Sequence, residues 1–295
     1  RQRQMCIRDR NKYFYLLTLI FFSVSSISQE KNIIIKSAGS FDRNQSLYPD
    51  GNILNESANK KVHLTHDNMD IFSKKSIFFQ KRNSFIAIGN VHVKQGDSIN
   101  LFCDSLNYDG LTRKFSSYGS VKFINDEMEL NSNVLFFDRN ANEIYFNKNG
   151  KIIDSVSTIK SKEGKYFIDE KKYEFKENVI VENPDYKIRS NMMDYFLNSE
   201  ITLFYKFSTI ITDDYTIFCN EGFYDPQNKI GVFKKDAKVN SESRTIFGDS
   251  IFFDENKKYA SASSNIKIID EKENLIIKGE YAEVFEELDS ALITK

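Results

Sequence analysis

An aromatic or aliphatic residue recurs along this chain at Phe78, Tyr108, Phe137, Ile168, Tyr195, Tyr224, Phe253 and Val284, at spacings of 30, 29, 31, 27, 29, 29 and 31. Short segments recur with it. Cys103–Asp109 is followed by Gly119-Ser120-Val121-Lys122-Phe123, Asn133–Asp138 by Gly150-Lys151-Ile152, and Gly164–Asp169 by Asn178-Val179. Cys219–Asp225 is followed by Ala237-Lys238-Val239, and Gly248–Asp254 by Asn265-Ile266. So even a period, from about residue 72 onward, marks a repeat protein whose units pack mainly on their sequence neighbours.

A unit of this length fits a helix pair as well as a strand pair, so the pattern inside each unit decides. Val91 and Val93 alternate with Asn90, His92 and Lys94, and Val121 and Phe123 with Ser120 and Lys122. Ile266 and Ile268 alternate with Asn265 and Lys267. Period two means a strand with one covered face. Asp109-Gly110 and Asp225-Pro226 supply turn residues between the strands of their units. Each unit therefore reads as two antiparallel strands, giving an all-β protein of about 15–16 strands in sequence order. The 26 Phe and 15 Tyr, with no Trp, suit a pleated surface. Val134 and Phe136 stand in opposite phase to Leu135 and Phe137, the pattern of a sheet buried on both faces or folded over on itself.

The ends read differently. Residues 1–10 resemble a translated adaptor tail and are set aside as an artefact. Over 11–28, Asn11-Lys12, the apolar run Tyr13–Phe22 and small residues to Ser28 read as a signal peptide. Residues 29–295 carry the repeats, and the final unit breaks off after its first strand, as in a piece of a longer protein. Cys103 and Cys219 occupy equivalent places four units apart, about 40 Å by strand spacing, too far for a disulfide; both read as small buried apolar residues.

Catalytic apparatus is not legible. His63, His66 and His92 read as surface imidazoles, with no metal site among them. Asp109, Asp138, Asp169, Asp225 and Asp254 follow the anchors as turn starters, and one per unit is too sparse for a calcium cage. There is no phosphate-binding loop and no nucleophile elbow. With 41 basic and 42 acidic residues, no net field favours nucleic acid. The expectation is a non-enzyme without cofactors.

The units Cys103–Asp109 with Gly119-Ser120-Val121, and Gly89-Asn90-Val91 with Gln95–Ser98, resemble those of the OstA-like family of lipopolysaccharide-transport proteins, which includes LptA and the N-terminal domain of LptD. The resemblance spans about residues 32–294, and Ile35–Leu54 looks like the start of the longer members. It implies an elongated, V-shaped antiparallel β-jellyroll in the periplasm, with or without attachment to the outer membrane. It also implies lipid A acyl chains held in an apolar groove, and edge-strand pairing with other transport components or with further copies, head to tail. On that basis the first strands would line the groove with Leu106, Tyr108, Leu135, Phe137, Ile251 and Phe253. The second strands would add Val91, Val93, Val121, Phe123, Ile152, Val179, Val181, Val239, Ile266 and Ile268. Ordinary core packing predicts the same residues. A structural or adhesive cell-surface β-repeat protein is the competing class, and a polysaccharide-active β-helix enzyme a third; no unit carries the insertion that a catalytic centre would need.

Overall fold

The computed structural model describes residues 32–285, 287 and 290–294; the expected leader and N-terminal tail lie outside them. Among the described residues twenty-five strands, every pairing antiparallel, follow one another in a single ladder. The excess over 15–16 has a simple cause. Several crossings of the ladder are interrupted midway, so that Glu143–Phe146 resumes as Gly150–Ile153, Thr158–Ser161 as Glu163–Phe167, and Thr202–Phe204 as Ser208–Ile211. Counted as crossings, there are sixteen from Met69 onward, preceded by two more at 34–43 and 52–66.

The midpoint of a crossing is where the fold is made. Ser84–Gln95 and Lys114–Ile124 run through it as continuous strands, but their registers slip there. At the slip stand two successive residues of left-handed backbone: Gly89-Asn90, Gly119-Ser120, Glu177-Asn178, Lys235-Asp236 and Ser264-Asn265. Such a bulge bends a strand sharply while leaving the ladder intact on either side. The pair stands in five of the alternate crossings, and at 143–153 and 202–211 a break in the strand takes its place, which gives the sequence repeat its physical cause. Gly119 and Asn90 are therefore not strand starts; they mark a spine along which the sheet folds over on itself.

Folding at the spine places two layers face to face. One contains 84–88, 105–109 and 114–118 and their successors; the other contains 91–95, 99–103 and 121–124 and theirs. Side chains meet between them: Phe123 with Phe137 at 6.5 Å between ring centroids, Tyr186 with Tyr224 at 5.9 Å, and Tyr215 with Phe253 at 4.6 Å. One apolar core runs from Ile33 to Val284. Opposite the spine, the turns of both layers come together along a seam.

Most turns follow the expected chemistry. Asp109 Oδ1 accepts from the backbone N–H of Leu111 and Thr112 at 2.9 and 3.2 Å, and Asp138, Asp225 and Asp254 cap their turns alike. Asp169 differs, accepting instead from the side-chain amide of Asn142. The anchor Ile168 needs correction. It sits past the end of Glu163–Phe167, and the residue paired within the anchor row is Tyr166, 29 residues after Phe137 and 29 before Tyr195. His66 also departs from the surface reading: it is buried, with Nδ1 2.6 Å from the Tyr108 hydroxyl. His63 and His92 do face outward, stacked on Phe72 and Phe102.

Candidate functional site

The inward face of the second layer carries an unbroken row of cross-strand neighbours. It reads Ile35, Leu64, Ile71, Val93, Leu101, Phe123, Leu130, Ile152, Ile159, Val181, Ile188, Ile210, Ile217, Val239, Ile246, Ile268 and Ile277. Every member is apolar and all but Phe123 are aliphatic. At ~4.8 Å per strand the row is about 75 Å long. Nearer the spine stand smaller buried residues, including Val91, Cys103, Val121, Val179 and Ser190.

The first layer answers with aromatics. Phe78, Phe85, Tyr108, Phe115, Phe137, Ile144, Tyr166, Tyr173 and Tyr195 are successive neighbours in one row. Their rings stack, at 4.4 Å between centroids for Tyr108 and Phe115 and again for Tyr166 and Tyr173. Behind this row Phe146 fills the space left by Gly150 and Gly164, where an added Cβ would collide with its ring.

All sixteen expected lining residues point into this space. Fifteen are buried and Phe137 is half-buried. The strand phases assigned from sequence thus converge on one interior face. That reasoning missed Leu101, Leu130, Ile159, Ile188, Ile217 and Ile246, the alternate-crossing partners of residues it named, and Ile210, which lies between Ile188 and Ile217. Their signal was present: each lies at the same distance from its turn as the partner it pairs with. The space is filled by these side chains, and a cavity between the layers beside Tyr215, Val239 and Phe253 measures about 20 Å³.

The seam is fastened by polar clasps that join a turn of one layer to a turn of the other. Asp67 takes the guanidinium of Arg113 on its carboxylate and that of Arg139 on its carbonyl oxygen, and Arg139 reaches the Tyr108 hydroxyl at 3.3 Å. Glu127 receives Lys171 and, at 3.3 Å, the hydroxyl of Tyr166. Glu200 receives the Tyr186 hydroxyl at 2.8 Å and the Asn183 amide at 3.2 Å. Burial raises the Asp67 carboxyl, but the Arg113 hydrogen bond and the charges of His66, Arg113 and Arg139 outweigh it, leaving the pKa below its ordinary value. Beside Tyr166 of the second clasp, the Tyr173 hydroxyl is buried without a hydrogen-bond partner. Burial pushes the Cys103 and Cys219 thiols up to about 12, and both are free.

Residues 30–191 match the family described as OstA-like protein. Among solved structures, LptH of Pseudomonas aeruginosa, the LptA homologous periplasmic component of a lipopolysaccharide transport device, aligns at 14% identity and a TM-score of 0.33. That alignment covers 35% of this chain and 79% of the other. No curated protein sequence matches.

Proposed function

This chain belongs to the OstA-like protein family, and on that premise we propose that it binds lipopolysaccharide in the periplasm and shields lipid A acyl chains between its two layers. The observation that carries this reading is the aliphatic row, apolar at every crossing from Ile35 to Ile277. Each acyl CH₂ withdrawn from water is worth ~0.8 kcal/mol, so a carrier needs apolar cover that does not lapse along its length. A core serving stability alone tolerates interruptions; a track does not.

The clasps suit such a cargo. Acyl chains enter by parting the layers at the seam, which costs a few charge-assisted hydrogen bonds near the surface and leaves the backbone ladders whole. Tyrosine hydroxyls along the seam then lie where acyl chains meet a polar headgroup. Hydrolysis of nucleotide has no place in this scheme, and the energy for directed movement comes from partners. Those partners are other transport components, or further copies head to tail, joined by edge-strand pairing.

The test is photo-crosslinking in cells. A crosslinker at Phe123 or Ile268, on the interior face, captures lipopolysaccharide, and one at outward Lys267 does not. Equal labelling at the three positions would overturn the interior as the binding site.

A further inference from the structure

On the outer face of the second layer, beside the spine, a concavity of about 650 Å³ is ringed by five lysines: Lys122, Lys148, Lys151, Lys160 and Lys162. The remaining lining is asparagine and serine, with only Val121 and Gly150 apolar, and it contains no carboxylate. Lys122, Lys151 and Lys160 belong to one outward row, in which Lys122 faces Asn131, Asn131 faces Lys151, and Lys151 faces Lys160. Like charges directly opposite one another weaken a sheet. The fold accepts that cost here in a chain whose acids and bases are balanced overall.

Carboxylates outside the rim neutralise only part of the charge. Lys122 meets Glu129 at 2.7 Å, Lys162 meets Glu177 at 2.6 Å, and Lys160 lies 3.5 Å from Glu182. Lys148 and Lys151 are exposed and make no ion pair among the described residues. Two unpaired ammonium groups above a floor of amides and hydroxyls match a particular chemistry. Phosphate takes the point charges of lysine, and sugar hydroxyls pair with side chains that both donate and accept.

We propose that this concavity is a binding site for a phosphorylated saccharide, held from outside while the interior remains separate. The site goes beyond the interior reading and does not depend on it, because the ligand it takes needs no acyl chain.

The experiment titrates the full chain calorimetrically at low salt with an acyl-free, bis-phosphorylated glucosamine disaccharide, its dephosphorylated counterpart, and inorganic phosphate. The phosphorylated disaccharide binds, and the double variant Lys148→Gln/Lys151→Gln weakens it about tenfold or more. Lys278→Gln, in the same outward row but far along it, leaves affinity unchanged. Circular dichroism and urea midpoints verify that the variants fold. Equal binding by wild type and double variant overturns the site, as does equal binding of the dephosphorylated sugar. Inorganic phosphate binding as tightly as the phosphosugar overturns the saccharide assignment. Crosslinking of lipid at Phe123 and Ile268, neither of which lines the concavity, stands or falls separately from all of these.

Discussion

At Gly119 the backbone stands at φ +76°, and an added Cβ would lie 2.8 Å from the Cβ of Asp104 on the neighbouring strand. Gly89, its counterpart one unit earlier, has φ +79° but faces the flexible side chain of Lys74 at 3.2 Å. Both Gly→Ala substitutions incur the left-handed penalty of about 1 kcal/mol, and Gly119→Ala adds a collision with a less yielding neighbour. Urea denaturation should therefore rank Gly119→Ala as the more damaging, by about 1 kcal/mol or more. The cysteines give a second expectation. With their thiols pushed up to about 12 by burial, Cys103 and Cys219 should not react with a disulfide reagent at pH 8 until the chain is unfolded. Individual residues were only partly legible in the sequence. Ile168 and Tyr166 both lie within two residues of the expected anchor position, and only pairing shows which one faces inward. His66 shares the inward phase of Val62 and Leu64, but the reason an imidazole is accepted there, its contact with the Tyr108 hydroxyl, lies on another layer.

Strands and turns show why the seam is the weaker side of the fold. The spine is covalent, whereas the seam rests on Asp67, Glu127 and Glu200 and their partners. The Asp67 carboxyl lies below its ordinary value in the folded state, so its contribution is complete above about pH 4 and is lost as pH falls through the folded value. Asp67→Asn should lower stability by about 1 kcal/mol at neutral pH and flatten the acid limb of the pH–stability curve, read by thermal melts from pH 2 to 7. Glu127→Gln, at a more exposed pair, should cost about 0.5 kcal/mol and lose its effect at high salt. Strand existence and phase were legible because period two survives within each half-crossing. The spine was not, because Gly-Asn and Gly-Ser read as turn signals and a bulge uses the same residues for the same backbone reason.

Across the whole molecule, contacts run between sequence neighbours and between facing halves, so stability is shared locally. Ile210→Ala removes a fully buried member of the aliphatic row and should cost about 2–4 kcal/mol. Hydrogen exchange should quicken in the crossings that flank it, 187–219, while 84–109 keeps its protection. Uniform loss across the chain would mean a single cooperative unit instead. Here the sequence was most informative: repetition and alternation led to an antiparallel ladder and to residues that the fold buries. The continuity of the row from Ile35 to Ile277 needed the turn centres as well as the alternation, since each missed member is placed by its distance from the turn it shares with its partner.

The spine consists of separate left-handed pairs and strand breaks, alternating with unbroken or differently jointed crossings, rather than a continuous rod. Twisting at one pair is therefore weakly transmitted to the next, and the clasps opposite stand about 19 Å apart, four crossings from one to the following. Mechanically, this is a zip fastener whose two tapes are already sewn together along the far edge. A slider moving along it would part only the teeth at its own position, while those behind it re-engage. The work of advancing would then depend on the width of the opening and not on how far the slider has travelled.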